Sequence, residues 1–308
     1  MSDDAAPYGV LLVAYGGPGS LDEVEPYLLD VRGGRPTSPE MVTAFKERYA
    51  AIGGRSPLLD RTEEQALALA HNLGNGIPVY VGMRHWHPYI SDVFDEIRSD
   101  GVGRVVALAL APHFSTMSIG AYQQRIQESR GCVDVELVRE WNLHPGFLEA
   151  VTSHVTLGLE QFDDSIRDEV PVLFTAHSLP QRILGDGDPY VDQLDASVAG
   201  VVERLGDRAH HFAFQSAGQS GGPWLGPDAG VTIAELARSG IRHLLICPIG
   251  FVSDHLEVLY DVDIEYRRLA EGLGMQLRRT PSLNDSPELI DALADLVTGT
   301  AGARGWQS

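Results

Sequence analysis

Short apolar runs bounded by turn residues alternate along the chain with longer stretches of helical periodicity. This alternation is typical of a parallel β-sheet covered by helices, because strands buried on both faces are apolar throughout. Four runs lie near 9–15, 78–83, 104–111 and 133–138, and four more near 171–176, 210–215, 242–248 and 275–280. The pattern therefore predicts an α/β protein with two series of strands.

Both series follow one plan. In each half the first strand runs into a polar loop, "YGGPGS" or "AHSLPQ", and the third meets a proline, in "LAPHFS" or "ICPIGF". We predict two similar doubly wound domains at 1–145 and 146–308, each with a four-stranded parallel sheet flanked by helices. A last helix near 286–298 is expected to pack back towards the first domain. Ligands of such folds bind at the carboxyl ends of strands, which directs attention to those loops.

Charge and cysteine content exclude several classes of function. The formal net charge of -20 argues against nucleic acid and anionic membrane surfaces, but it is compatible with cations. Two cysteines, Cys132 and Cys247, are too few for a four-thiolate iron–sulfur cluster, and no Cys/His zinc spacing is present. The N-terminal region lacks the layout of a signal peptide, and no apolar segment approaches a membrane span. We expect a cytoplasmic protein without stable membrane insertion.

Two glycine-rich motifs resemble functional loops and fail on inspection. "YGGPGSLDEV" follows a strand, but Asp22 stands where a GxGxxG motif requires glycine, and no Walker lysine is present. "GQSGG" matches the GxSxG of a hydrolase, yet "PWLGP" follows Ser220 where a nucleophile elbow requires a helix. The sequence therefore favours neither a nucleotide-binding loop nor a serine nucleophile.

The stretch "SDHLEVLYDVDIE" carries five carboxylates directly after an apolar strand. On an α-helix of about 100° per residue, Glu257, Asp261 and Glu265 fall at about 0°, 40° and 80°, with Asp254 at about 60°. Apolar side chains flank this strip, which predicts an acidic seam along an internal polar channel. The alternative is that these carboxylates cap the helix N-terminus and face solvent. Asp263 falls off the strip and is assigned to ordinary solvation.

A cation is expected at the seam, because like charges four residues apart repel each other. Carboxylate ligands suit Mg²⁺, Ca²⁺ or a partly hydrated Fe²⁺. His177 in "VLFTAHSLP" is the best-placed partner, since an apolar strand delivers it to the predicted ligand face. A histidine with an ordinary pKa of about 6.5 takes up protons or binds metal, although a structural role for it is equally open.

Basic residues concentrate in one part of the first domain. They are Arg32, Arg35, Lys46, Arg48 and Arg55, with Tyr49 and Ser56 as further hydrogen-bond donors. Because arginine forks match carboxylates, this excess indicates an anionic ligand. A surface helix whose basic residues form salt bridges explains the same pattern equally well.

Taken together, these motifs resemble the ferrochelatase family over nearly the whole chain. The motifs are "AYGGPGS", "RYAAIGGRSPL", "APHFST", "FTAHSLP", "GDPY", "FQSAGQ…PWLGPD" and "GFVSDHLEVLYDVDIE". The resemblance implies a chelatase-like fold and a lyase of heme biosynthesis that inserts Fe²⁺, its substrate, into a porphyrin held in a cleft between the domains. It also implies that His177 and Glu257 are the catalytic, metal-handling pair. Asp261 and Glu265 would form a secondary acidic ladder, where Mg²⁺ is a further expectation.

The resemblance is strongest to the soluble bacterial coproporphyrin III ferrochelatases, whose substrate carries four propionates. The region "GGRPTSPEMVTAFKE" is polar where protoporphyrin enzymes have an apolar lip, and the C-terminus "AGARGWQS" has no cysteine for an iron–sulfur cluster. The resemblance implies that the porphyrin-binding residues are Tyr15, Arg32, Arg48, Tyr49, Ser56 and Tyr122.

Three motifs depart from that type. "VRGGRP" lacks a consecutive arginine pair, "MRHWHPYI", which keeps His85, is closer to the protoporphyrin enzymes, and "SAGQSGGPW" is richer in glycine than expected. Ferrochelatase activity on protoporphyrin IX is therefore the alternative. A cobalt or sirohydrochlorin chelatase is a lesser alternative, because such enzymes tend to use paired histidines where this chain has Glu257. A porphyrin- or metal-binding carrier would need the cleft without the base, and the presence of both His177 and Glu257 speaks against it. For the oligomeric state, bacterial relatives suggest a monomer.

Overall fold

The computed structural model describes residues 8–74, 76–206, 208–218 and 222–306, so Ser220 of the GxSxG motif lies outside the described residues. The chain forms two compact units. Unit 1 takes the residues up to Trp141 together with the stretch that starts at Asn284, and unit 2 comprises Asn142–Leu283. None of the helices in the described part of the chain is both long and apolar enough to cross a membrane.

Unit 1 is a four-stranded parallel sheet with helices packed against it. Its elements begin with β1 (Gly9–Ala14), α1 (Val24–Val31), α2 (Pro39–Ala51), α3 (Leu58–Leu73), β2 (Val79–Met83), α4 (Ile90–Ser99), β3 (Arg104–Ala109), α5 (Ile119–Ser129) and β4 (Asp134–Val138). The strand order is β2-β1-β3-β4. All six residues of β1 are buried because this central strand is covered on both faces.

Unit 2 repeats this arrangement. Its elements are α6 (Pro145–Leu159), β5 (Val172–His177), α7 (Arg182–Gly185), α8 (Tyr190–Arg204), β6 (His210–Gln215), α9 (Ala229–Arg238), β7 (His243–Cys247), a π-helix (Glu257–Tyr266), α10 (Arg267–Gly272) and β8 (Gln276–Arg279). The strand order is β6-β5-β7-β8, and all pairings are parallel. In both sheets the first strand therefore lies between the second and the third.

The last helix, α11 (Pro287–Ala303), belongs to unit 1, where it packs against α3. Asn72 Nδ2 donates to Asp291 Oδ1 at 2.6 Å, and Arg304 lies 2.8 Å from Asp134 Oδ2 at the start of β4. The boundary between the units falls at Trp141, four residues before the expected one, and the chain returns to unit 1 at Asn284.

Side-chain caps fix the start of several helices. Ser38 Oγ accepts from the Met41 amide at 3.3 Å, so that α2 begins at the following proline. Asp228 Oδ1 accepts from the Val231 amide at 3.0 Å at the start of α9. Such oxygens satisfy amides that have no partner within the helix.

The predicted strands are confirmed to within two residues at each end, and so are the two four-stranded parallel sheets. The acidic stretch differs from its prediction in one respect. It begins as a loop and becomes a π-helix only at Glu257, where the sequence predicted an α-helix from residue 254. A π-helix has i→i+5 hydrogen bonds and more residues per turn than an α-helix, so residues four apart stay close to one line along it.

Candidate active site

The carboxyl edge of the second sheet brings three polar segments together. Strand β5 ends at His177, which pairs in register with Gln215 at the end of β6. Strand β7 ends at Cys247, and the acidic stretch follows it. Carboxyl ends of parallel strands meet at one edge of a sheet, where such folds bind their ligands.

Gly250 allows the chain after β7 to cross the end of β5. Its amide donates to the Thr175 carbonyl at 3.2 Å, and a Cβ built at this glycine would lie 2.7 Å from Ala176 Cβ. A side chain does not fit in that space, so glycine is required for the close approach. The chain after Gly250 therefore passes close to the end of β5, where His177 lies.

Glu257, the first residue of the π-helix, lies between two imidazoles. His177 Nε2 is 3.3 Å from Glu257 Oε1, and His255 Nε2 is 3.7 Å from Glu257 Oε2. His177 Nδ1 donates to the Ser178 carbonyl, and His255 Nδ1 donates to the Ser253 carbonyl at 2.9 Å. Because carbonyl oxygens only accept, each Nδ1 carries the proton and each Nε2 faces the carboxylate.

Side-chain hydrogen bonds from Gln215 and Tyr190 hold the backbone of both members of this pair. Gln215 Nε2 donates to the Glu257 carbonyl at 3.0 Å, and Gln215 Oε1 accepts from Thr175 Oγ1 at 2.7 Å. On the other side, Tyr190 Oη donates to the His177 carbonyl at 3.0 Å. The pair is therefore positioned by the sheet and by α8 together.

The charges of the pair stabilise each other. Burial lowers the pKa of His177, but the Glu257 carboxylate, the Ser178 carbonyl and Asp261 outweigh it and raise that pKa to about 9. Burial likewise raises the pKa of Glu257, but His177 and His255 hold it well below its usual range. At neutral pH the pair is thus an imidazolium and a carboxylate. Both side chains keep about a third of their surface, 31% and 29%, open to solvent.

The acidic ladder continues along the π-helix. Asp261 is 4% exposed and accepts a hydrogen bond of 2.5 Å from Ser216 Oγ, whereas Glu265 is exposed. The two valines that flank the ladder, Val258 and Val262, are buried. No group of three or more His, Cys, Asp or Glu side chains among the described residues is arranged to hold a metal ion, so the Mg²⁺ site stays a prediction.

Two carboxylates of the stretch have roles that the sequence did not predict. Asp254 was placed on the strip, but it precedes the π-helix and lies 3.5 Å from Arg279. Asp263 was assigned to solvation, but its side chain is only 21% exposed and is held by Arg279 at 2.9 Å. Both interpretations were wrong because the wheel assumed an uninterrupted α-helix and no partner from another strand.

In unit 1, Tyr15 follows β1 and is 41% exposed. Its ring centroid lies 4.7 Å from that of His85, and Arg84 Cζ lies 5.7 Å from it. The same Arg84 Cζ lies 5.8 Å from the ring of Tyr122, which is buried in α5, and burial raises the pKa of that tyrosine. One guanidinium thus connects two of the predicted porphyrin-binding tyrosines.

Tyr49 and Ser56 are brought to the glycine-rich loop that follows Tyr15. Both are buried, and a Cβ built at Gly17 would lie 2.4 Å from Ser56 Oγ and 3.8 Å from Tyr49 Oη. The Ser56 amide donates to the Pro18 carbonyl at 2.8 Å, which fixes the loop. Three predicted porphyrin-binding residues therefore lie around one loop.

Three arginines of the basic cluster in unit 1 differ in their surroundings: Arg55 is exposed and paired, whereas Arg32 and Arg48 are half-buried. Arg55 is exposed and lies 2.6 Å from Asp60, so the salt-bridge interpretation holds for it. Arg32 follows α1 and is half-buried, and within the described residues its Nε has no hydrogen-bond partner. Arg48 is half-buried in α2, with Cζ 5.6 Å from the ring of Phe45.

Comparison with known proteins identifies the family. The family model for ferrochelatase matches residues 7–301. The chain belongs to the ferrochelatase family. A ferrochelatase from Herpetosiphon aurantiacus is 45% identical over 303 residues, which cover 96% of this chain and 99% of the relative. The coproporphyrin III ferrochelatase of Oceanobacillus iheyensis is 38% identical, with 94% and 95% covered.

The fold is also that of solved chelatases. The sirohydrochlorin chelatase SirB from Bacillus subtilis subspecies spizizenii, in complex with cobalt, matches with a TM-score of 0.57 and 11% identity, and 97% of each chain is covered. At this identity the likeness concerns the fold alone. Membership of the ferrochelatase family makes the chain a metal-insertion lyase of heme biosynthesis, with Fe²⁺ and a porphyrin as substrates.

Sequence reasoning missed two contacts in this ferrochelatase. His255 was passed over because the wheel placed the carboxylates and the apolar side chains and left the histidine out, although it stands two residues before Glu257. The pairing of His85 Nδ1 with Asp30 Oδ1 at 2.7 Å joins residues 55 positions apart, and no local pattern in the sequence marks it.

Proposed function

We propose that this ferrochelatase inserts Fe²⁺ into coproporphyrin III to give Fe-coproporphyrin III, and that His177 and Glu257 handle the metal and the protons it displaces. The observation that carries the proposal is the contact of 3.3 Å between His177 Nε2 and Glu257 Oε1 at the carboxyl end of β5. Imidazole and carboxylate are both ligands for Fe²⁺.

The reaction requires a metal carrier and a base. Each Fe²⁺ that enters a porphyrin displaces two pyrrole protons, which the enzyme has to accept and release. Once the proton shared by His177 and Glu257 has left, the imidazole and the carboxylate serve as ligand or base. The ladder offers a path for protons or hydrated cations, because buried Asp261 lies between half-buried Glu257 and exposed Glu265 along the π-helix.

The side chains of unit 1 support a substrate with four propionates. Arg32 has a buried Nε without a hydrogen-bond partner among the described residues, and such an unsatisfied donor favours an anionic ligand. Relatives named coproporphyrin III ferrochelatase cover nearly the whole chain. The residues that we propose bind the porphyrin are Tyr15, Arg32, Arg48, Tyr49, Ser56 and Tyr122.

The proposal is tested by metallation under anaerobic conditions. Purified protein with Fe²⁺ is given coproporphyrin III or protoporphyrin IX, and the shift of the Soret band is followed. We expect a higher kcat/KM for coproporphyrin III. Equal rates, or a preference for protoporphyrin IX, would overturn the substrate assignment and favour the alternative.

A pair of arginine variants sharpens this experiment. Replacing Arg32→Gln should raise KM for coproporphyrin III by about 10-fold, the order expected for losing one hydrogen bond to a charged group. Arg55→Gln is the matched control, because Arg55 is exposed and already paired with Asp60. Equal effects of the two substitutions would assign the change to net charge and not to propionate binding.

A further inference from the structure

Arg279, the last residue of β8, holds two carboxylates that flank Glu257 in the sequence. Its Nε and Nη2 donate to Asp263 Oδ1 and Oδ2, each at 2.9 Å, which is a two-point fork. Its Nη1 lies 3.5 Å from Asp254 Oδ1. The Arg279 side chain is only 13% exposed, so the ion pairs are shielded from solvent.

Additional hydrogen bonds close this arrangement. Arg279 Nη1 donates to the Thr280 carbonyl and to Ser282 Oγ, each at 3.0 Å. Ser282 Oγ in turn donates to Asp254 Oδ1 at 2.7 Å. One side chain therefore ties the loop before the π-helix and the middle of the π-helix to the end of β8.

We infer that Arg279 is a positioning residue for metal insertion, which acts by fixing Glu257 against His177. Glu257 lies between the two segments that Arg279 holds. His177 belongs to β5, which lies in the same sheet as β8. Arg279 thus anchors the π-helix to the sheet that carries the other member of the pair. The inference rests on the proposed role of Glu257.

The contact between His177 and Glu257 depends on the position of the π-helix, which is why an anchor for this helix affects metal insertion. The contact between His177 and Glu257 joins a strand to a helix, so a small shift of the helix opens it. A misplacement of about 1 Å at reacting groups costs about 100-fold in rate. Arg279 also neutralises Asp254 and, together with Arg267 at 3.5 Å, Asp263, so its removal weakens the compensation of partly buried charge. Of the five carboxylates in this stretch, Glu257, Asp261 and Glu265 then remain to meet an incoming cation.

The test compares Arg279→Met and Arg279→Lys with Arg278→Met. Arg278 is the preceding residue on β8 and forms no ion pair with another described residue. The readouts are kcat and KM for metallation with Zn²⁺ and Fe²⁺, porphyrin binding by fluorescence quenching, and thermal unfolding. We expect Arg279→Met to lower kcat by about 10-fold or more while KM for porphyrin stays unchanged.

The conservative variant separates positioning from charge alone. Arg279→Lys keeps the charge and loses the fork, so it should recover part of kcat. Arg278→Met should stay within about twofold of the parent, because it leaves the contacts of Arg279 with Asp254 and Asp263 intact. The inference is overturned if Arg279→Met leaves kcat unchanged, or if its loss of activity is matched by equal losses of porphyrin binding and melting temperature.

Two further variants keep the test decisive. If Arg279→Met does not fold, Asp263→Asn removes one anchor and should lower kcat without changing KM for porphyrin. An unchanged kcat in that variant overturns the inference. Glu257→Gln tests the proposed function itself: if it retains activity, the proposed function fails. If Glu257→Gln is inactive and Arg279→Met is fully active, only the inference about Arg279 fails.

Discussion

A histidine and a carboxylate meet near the carboxyl edge of each sheet, yet the two pairs differ in charge. In unit 1, His85 Nδ1 lies 2.7 Å from Asp30 Oδ1. In unit 2, His177 Nε2 lies 3.3 Å from Glu257 Oε1. The histidine with the shorter contact has a lowered pKa, whereas the one with the longer contact has its pKa raised to about 9.

The surroundings of each histidine account for this reversal. Burial is the largest influence on both, but the His85 side chain is 7% exposed, against 31% for His177. Arg84 and Arg125 lower the pKa of His85 further, and the Asp30 carboxylate does not compensate. Around His177, Glu257 and Asp261 both add negative charge.

The same sheet topology thus carries two histidine–carboxylate pairs, one with a neutral and one with a charged histidine. His85 stays neutral and packs against the ring of Tyr15, whose carbonyl accepts from the His85 amide at 3.0 Å. His177 is charged and open to solvent, which suits a group that exchanges protons or metal. The distance between two atoms therefore does not decide the state of a pair; burial and neighbouring charge do.

The largest effect is expected from His177→Ala. The substitution removes one member of the charged pair, so kcat should fall by about 100-fold or more, the range for losing a general base. Porphyrin binding should remain measurable, because the residues proposed to bind it lie in unit 1. Steady-state metallation and fluorescence quenching measure the two quantities.

His210→Ala is the matched control for that experiment. His210 begins β6, at the opposite edge of the same sheet, and it is exposed. Activity close to the parent is expected. A His177→Ala protein that turns over normally would remove His177 from the proposed mechanism.

Much of this molecule was predictable from its sequence. The central strands β1, β3, β5 and β7 stand out because each is a short apolar run between turn residues, and their buried positions follow from that pattern. The strand ends already indicated His177 as a partner of the acidic strip, but singling out Glu257 as the other member required the resemblance to a family, because 80 positions separate the two residues and no periodicity links them.

Other features depend on tertiary contacts that no local pattern encodes. The π-helix cannot be distinguished from an α-helix by apolar spacing alone. Arg279 meets Asp263 only because β8 lies in the sheet beside β7. Asp30 reaches His85 from α1, and nothing in either segment signals that contact.

A smaller effect is expected from Asp30→Asn in unit 1. The amide oxygen still accepts from His85 Nδ1, but the charge is lost, so the pKa of His85 should fall further. Since a hydrogen bond to a charged group is stronger than a neutral one, the free energy of unfolding should drop by about 1 kcal/mol. Denaturant unfolding and NMR titration of the imidazole measure these changes.

The metallation activity of Asp30→Asn tests whether the His85 pair and the His177 pair have different roles. Metallation should change by no more than about twofold, because the substitution leaves His177 and Glu257 intact. A loss as large as that of His177→Ala would show that the two pairs do not differ in kind, and the comparison between them would fail.

The smallest expected effect is a change in how the free energy of unfolding depends on pH. The pKa of His177 is raised from 6.5 to about 9, so its contribution is fully present below pH 6.5 and is lost as the pH rises through about 9. The pKa of Glu257 is lowered from 4.5, so its contribution is present above pH 4.5 and is lost as the pH falls further. The pair therefore stabilises the fold between about pH 4.5 and pH 9.

The contribution of His85 depends on pH with the opposite sign to that of His177. The pKa of His85 is lowered from 6.5, so the unfolded chain binds more protons below that pH and the folded state loses stability as the pH falls. Comparing the parent with Glu257→Gln measures the contribution of the Glu257 charge, which faces both His177 and His255. Their difference in the free energy of unfolding should be about 1 kcal/mol or less, because both groups are partly exposed, and it should vanish above about pH 9. A difference that persists at higher pH would show that Glu257 stabilises unit 2 by packing, and that its charge pairing with His177 contributes little.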